Sequence, residues 1–269
     1  MTSLAQAAPP SCNDLMAAPS EQAALWIAGL SLRYPNGKQA LSDIDLHAAG
    51  GEFVVVLGSN GSGKSSMLRC IVRLQEPTAG QVTVAGNDMI RLHGKALRQA
   101  RMRIGMIGQT ANLVRRRNVV ANVVCGALAR HNDLRTAIGL LPQAEIGCAQ
   151  KCLAHVGLSD LARQRAGTLS GGQAQRVAIA RALAQQPLLL LADEPVASLD
   201  PEATADVMRL LRRLADEGLA VLCVLHQPEL ARHYADRIIG LMDGRIVFRR
   251  RACEIKADEI DQLYGRRVA

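Results

Sequence analysis

The sequence predicts an α/β fold: a parallel-sheet core, an N-terminal antiparallel β part and an inserted helical subdomain. Three observations carry that expectation. Short, wholly apolar runs end on polar residues, as buried parallel strands do at the edge where ligands bind. One such run leads into a glycine-rich loop and then a helix. A long middle stretch shows helical patches and no strand pattern, which reads as an insertion between two parts of a sheet.

In order along the chain, residues 1–22 are rich in Ala, Pro and Ser without a period, and read as a flexible tail. Residues 23–269 form one large domain. Its core occupies 23–108 and 168–250, the helical subdomain 109–167, and a C-terminal helix 254–265. Two strand-like runs between Trp26 and Leu46 flank Pro35-Asn36-Gly37, a hairpin signal. Phe53–Leu57 is a buried strand, and a helix starts near Ser65. Gln81–Val84 is a short strand closed by Ala85-Gly86-Asn87. A polar helix near Lys95–Arg101 precedes the strand Ile104–Ile107, which leads to Gln109. From about 110 to 167, breakers such as Pro142 and Gly157 separate helical patches. The α/β pattern resumes with a helix from Leu169 to Ala184, an apolar strand Leu188–Ala192, an amphipathic helix Glu202–Glu217 and a strand Ala220–Leu225. Arg237–Met242 and Arg245–Phe248 flank Asp243-Gly244, a second hairpin signal.

Composition narrows the classes. Apolar residues make up 49% of the chain with only two Phe and one Trp, so the core is aliphatic. The net charge of +8 fits a nucleic-acid or membrane-surface partner, or an Arg-rich solvated surface. The run Arg115-Arg116-Arg117 has no interleaved aromatic residue for base stacking, and no nucleic-acid partner is expected. Seven Cys are present without a C-x-x-C, which reads as free thiols in a reducing compartment rather than zinc or disulfides. No secretory signal is expected, and no apolar run is long enough to span a bilayer.

Gly58-Ser59-Asn60-Gly61-Ser62-Gly63-Lys64-Ser65 fits G-x-x-x-x-G-K-[ST] between a strand and a helix. Glycines let backbone N–H groups close around phosphates, and the helix N-terminus adds a favourable dipole. Lys64 reaches the β- and γ-phosphates and the Ser65 hydroxyl ligates Mg²⁺, with Ser66 completing the nucleotide-binding set. Gln109, Asp193-Glu194 and His226 also stand at ends of apolar runs, which gathers them around the same nucleotide. Asp193 is the expected Mg²⁺ carboxylate. Glu194 faces a water in line with the γ-phosphate as general base, unless the acid pair is a solvated turn. His226 contacts the γ-phosphate, unless it is an ordinary strand-end histidine. Ser170-Gly171-Gly172-Gln173 is a second phosphate-binding surface at a helix start, or a Ser N-cap on a glycine-rich turn. A second phosphate site serves the nucleotide of another subunit, in a head-to-tail dimer of two copies.

The ordered set of phosphate loop, Gln109, Leu169–Gln173, Asp193-Glu194, Ser198-Leu199-Asp200 and His226 resembles the ATP-binding subunit of an ABC transporter, over nearly all of the chain from Trp26 on. The resemblance implies a RecA-like P-loop core, ATP and Mg²⁺ as ligands, and ATP hydrolysis. It implies that Tyr34 stacks on adenine. It makes Gln109 the lever that senses Mg²⁺ and the attacking water and links to the membrane subunit, and Asp200 part of a loop communicating across the dimer. Arg33–Gly37, Asn112–Arg116, Ala192–Pro201, Tyr234–Leu241 and Leu263-Tyr264-Gly265 are similar to phosphonate-import ATP-binding proteins. This implies an importer for phosphonate or phosphite, with two transmembrane permease subunits and a periplasmic substrate-binding protein. The chain is then peripheral on the cytoplasmic face of the inner membrane. An exporter or lipoprotein-release ATPase and a soluble nucleic-acid-linked ABC ATPase are the alternatives. Gly108 stands where that family usually has an aromatic residue, and Ala174 where a Gln often follows.

Overall fold

The computed structural model describes residues 23–130 and 143–265. The expectations for the 1–22 tail and for Pro142 lie outside these. Two sheets lie against each other. The first is antiparallel, in the order β2-β1-β4-β5, and is built from β1 (Ala23–Arg33), β2 (Gln39–Ala49), β4 (Ala79–Val84) and β5 (Asn87–Asp88). The second has the order β10-β9-β3-β8-β7-β6. Its members are β3 (Phe53–Leu57), β6 (Ile104–Ile107), β7 (Leu189–Asp193), β8 (Ala220–Leu225), β9 (Arg237–Met242) and β10 (Arg245–Arg251). All neighbours there run parallel except the β9–β10 edge pair.

Alternation of side chains explains the layering. Along β3, Phe53, Val55 and Leu57 enter one core cluster while Val54 and Val56 enter another. The same split sends Leu190 and Ala192 of β7 one way and Leu189 and Leu191 the other. Because both faces are covered, β3 and β8 are apolar at every position, as a central parallel strand requires. One face carries the antiparallel sheet and α1 (Lys64–Ile71). The other carries α5 (Gly171–Leu183) and α6 (Pro201–Asp216).

After α2 (Gly94–Arg101) and β6 the chain leaves the sheet. Among the described residues, 109–167 contribute no strand to either sheet and hold α3 (Val119–Val124) and α4 (Gln143–His155). The two ends of this stretch meet. Val119 N–H donates to Gln164 O and Ala166 N–H to Arg117 O, both at 2.9 Å.

Several local expectations change, and β10 runs on to Arg251 while α5 starts at Gly171 and not at Leu169. Leu188 is 47% exposed and outside the strand, which instead runs on to Asp193. The helix at the C-terminal end is shorter, α8 (Ala257–Leu263), because Ile255 is extended and buried between it and a 3₁₀ turn. A further helix, α7 (Pro228–Tyr234), follows β8 and was not anticipated. It has only seven residues and opens on a proline, too short for a periodic signal.

Candidate nucleotide site

The order of strands brings the site together. β3, β8, β7 and β6 are consecutive neighbours, so their C-terminal ends line up the glycine loop, His226, Asp193-Glu194 and Gln109 along one edge. Two of the loop's glycines, Gly58 and Gly63, have no room for a side chain. A Cβ on Gly58 would stand 2.3 Å from Leu241 O, and one on Gly63 would stand 2.6 Å from Ala40 O. Gly63 also holds a left-handed φ of 108° as it starts α1. Lys64 spans the loop from inside, its ammonium donating to Gly58 O and Ser59 O at 2.8 Å each. Burial lowers the Lys64 pKa, and the acids Glu194 and Asp193 oppose that. Ser62 Oγ is buried with no hydrogen-bond partner among the described residues.

The acidic side faces the loop. Ser65 Oγ donates to Asp193 Oδ1 at 3.1 Å. Burial raises the Asp193 pKa; the Ser65 hydrogen bond lowers it, Glu194 raises it, and Arg69 and Lys64 lower it. Glu194 takes a positive φ of 52°, and its N–H donates to Val224 O on β8. That backbone turn carries its carboxylate to His226, where Oε1 lies 2.5 Å from Nε2. The cleft over the loop holds about 320 Å³ and includes Tyr34, Lys38, Asn60, Lys64, Ser65 and Glu194 among its walls. Tyr34 stands at its rim with its hydroxyl 3.0 Å from Ser66 Oγ.

Other predicted residues are elsewhere. Gln109, His226, Asp200 and Ser170–Gln173 are not walls of this cleft. Gln109 is exposed, on a segment that α5 ties down. Gln175 donates to Gly108 O at 3.0 Å, and Arg181 donates to Ala111 O and Asn112 O. Ser170 is the N-cap of α5 in a capping box with Gln173, and Asp200 is the N-cap of α6. The two caps are neighbours, since a Cβ on Gly172 would stand 2.7 Å from Ala203 Cβ. The glycine at 172 therefore serves helix packing, and the serine serves helix capping. Ser170 and Gly171 are exposed at the start of α5, and Gly172 is buried.

Two residues of this neighbourhood were not singled out for roles from sequence. Gln175 is a buried amide beside the buried Val177, Ala178 and Ile179 of an Ala-rich helix, and that contrast was its signal. Tyr264, at the end of α8, donates its hydroxyl to His226 O at 3.1 Å. The pointers were its scarcity, one of three Tyr, and its place in Leu263-Tyr264-Gly265, one of the stretches that carry the resemblance.

The comparisons agree with this geometry. The family described as ABC transporter matches residues 41–197. A phosphonates import ATP-binding protein of Nostoc sp. is 49% identical over 237 residues, 88% of this chain and 90% of that one. A phosphite import ATP-binding protein of Stutzerimonas stutzeri is 47% identical over 250 residues, 93% of this chain and 90% of that one. Among solved structures, cbiO1 of Clostridium perfringens, part of the ABC transporter complex cbiONQ, superposes with a TM-score of 0.78 at 26% identity, covering 92% of this chain and 96% of that one. The ATP-binding cassette MJ0796, dimeric and bound to ADP and Pi in a post-hydrolysis state, gives 0.73 at 33% identity, covering 85% and 98%. With its strand-end acids, glycine loop and nearly full-length relatives of one kind, the chain belongs to the ABC transporter family, as a subunit that binds and hydrolyses ATP.

Proposed function

We propose that this chain powers an importer of phosphonate or a related reduced phosphorus oxyanion such as phosphite. The carrying observation is that relatives named for import of these two cargoes share nearly half of its residues over about nine-tenths of its length. It works as a dimer on two transmembrane permease subunits, fed by a periplasmic binding protein. It is thus peripheral to the cytoplasmic face of the inner membrane. None of the helices among the described residues is long and apolar enough to cross a membrane, which fits attachment through a partner.

In this reading Gly58 to Ser66 enclose the triphosphate, with the Lys64 ammonium and the Ser62 hydroxyl turned to its oxygens. Tyr34 stacks on the adenine. Ser65 and Asp193, hard oxygens in mutual contact, suit Mg²⁺, with Gln109 as a third donor. Bound there, Mg²⁺ supplies positive charge to the β- and γ-phosphate oxygens. Glu194 takes a proton from water as the water oxygen attacks the γ-phosphorus, and the bond to the ADP oxygen breaks. His226, donating from Nε2 to Oε1, leaves Oε2 as the free base and aims it. Ser170–Gln173 and Asp200 complete the site of the other subunit.

The test uses a cell without its own uptake of either cargo. The chain, expressed with its permease and binding protein, should allow growth on phosphonate or phosphite as sole phosphorus source. Glu194→Gln should abolish that growth. The purified variant should keep ATP binding and lose about 10²–10⁴-fold in turnover. Growth supported only by another cargo would overturn the cargo reading. Near-normal hydrolysis by Glu194→Gln would overturn the base.

A further inference from the structure

The tripeptide Leu263-Tyr264-Gly265 lies some forty residues beyond His226, yet the fold returns it to the hydrolytic edge. Leu263 is buried and anchors the end of α8 in the main core. Glu259 of the same helix pairs with Arg250 of β10 at 2.7 Å. Tyr264 follows at the C-cap, and its hydroxyl donates to the carbonyl of His226 at 3.1 Å.

That carbonyl stands at a break in regular structure. β8 ends at Leu225 and α7 begins at Pro228, which has no N–H to offer. Among the described residues the phenol is the donor recorded for the His226 carbonyl. A peptide plane held only from one side is free to tilt, and tilting it swings the imidazole attached to the same residue. Beside it, a cleft of about 580 Å³ opens between α7 and α8, lined among others by His226, Arg232, Ile260 and Tyr264. Both ends of the contact line this cleft, while the Tyr264 ring packs against the core. Burial raises the Tyr264 pKa, a backbone hydrogen bond from Gly58 opposes this and Glu229 adds to it, so the phenol is protonated and donating at neutral pH.

We propose that Tyr264 is a positioning residue for hydrolysis: its hydroxyl fixes the backbone on which His226 stands, and through His226 the aim of Glu194. This rests on the reading of Glu194 and His226 as the hydrolytic pair. It makes the C-terminal helix part of the catalytic apparatus without any contact to the nucleotide. Any partner that lifts α8 would slow hydrolysis while leaving ATP bound.

Tyr264→Phe keeps the ring and its packing and removes the hydroxyl, and with it the bond donated to His226 O. With one neutral hydrogen bond at stake, kcat should fall roughly three- to tenfold. The KM for ATP and the affinity for ATP should stay within about twofold, because no nucleotide contact is touched. A merely structural tyrosine would lower the melting temperature and leave kcat per folded molecule unchanged, and that result overturns the proposal. The double variant with Glu194→Gln separates it from the underlying reading. If Tyr264 acts through the pair, adding Tyr264→Phe to Glu194→Gln causes no further loss. An equal further loss means that Tyr264 acts elsewhere and also overturns the proposal. Near-normal hydrolysis by Glu194→Gln alone removes the pair itself, and the inference falls with it. Loss in Glu194→Gln beside a wild-type rate in Tyr264→Phe removes the inference alone.

Discussion

Asp193 shows how a single residue is held at odds with the stability of its own fold. Burial raises its carboxyl, and Ser65, Arg69 and Lys64 only partly compensate while Glu194 adds repulsion. The sign follows from linkage. An aspartate in the unfolded chain titrates near about 3.9, so the folded protein binds this proton more tightly than the unfolded one. The charged form therefore works against folding above the folded pKa, and the penalty fades as pH falls through that value. Asp193→Asn should raise the melting temperature of the nucleotide-free chain at about pH 7.5, narrow that gain towards about pH 4, and abolish hydrolysis. Melts across pH decide it, and an Asn variant less stable at neutral pH would show that the charge is satisfied by its neighbours. Residues of this kind were legible in the sequence because polar side chains at the ends of apolar strands have few other reasons to be there. Asp193, Glu194 and His226 were read this way and Lys64 from the loop motif, and the structure brings Lys64, Asp193 and Glu194 together at the loop with His226 bonded to Glu194. What could not be read was the partner of each. The contacts of Ser65 with Asp193 and of His226 with Glu194 span 128 and 32 residues, and depend on the strand order.

Elements were legible to the degree that their period was. β3 and β8 match the expected bounds because nothing polar interrupts them. The helix α6 shifts by one residue, since Asp200 takes the cap and Pro201 the first turn. The short α7 and two-residue β5 left no period to find. The meaning of Gly172 was also hidden, because its neighbour Ala203 belongs to another helix. Sequence offered a phosphate-binding glycine, and the packing gives an additional reason for it. Gly172→Ala discriminates the sign. In a free helix the change would stabilise by up to about 1 kcal/mol. Here the new Cβ would stand 2.7 Å from Ala203 Cβ, so α5 and α6 must separate. A net loss of about 1–3 kcal/mol is expected for such overpacking, measured by chemical denaturation. Pairing with Ala203→Gly should recover most of it. A neutral or stabilising Gly172→Ala would mean that the two helix starts yield freely.

At the scale of the whole molecule, the proposed function divides each nucleotide site between two chains. The cleft over the glycine loop has Tyr34, Lys38 and Glu194 among its walls, and none of Ser170–Gln173. Those residues form a helix start beside the Asp200 cap, with Ser170 and Gly171 exposed and with N–H groups and a dipole suited to an anion. In the proposed two-fold head-to-tail pair, the open loop of one copy would meet the helix start of the other, twice. The similar cassette MJ0796 is dimeric with ADP and Pi bound. Hydrolysis should then rise more than linearly with protein concentration while dimers are scarce. Mixing gives a sharper test. Lys64→Ala and Ser170→Arg each damage both sites of their homodimers. In the mixed dimer both lesions fall on one composite site, and the other is whole. Random exchange makes half the dimers mixed with one intact site each, so activity should return to roughly a quarter of wild type if the sites work independently. If the two sites must act together, activity stays low, and crosslinking decides instead. Cysteines at Asn60 and Ser170 should join different chains when ATP is bound. Crosslinks confined to single chains would mean that the helix start folds onto its own loop, and the shared site would be abandoned.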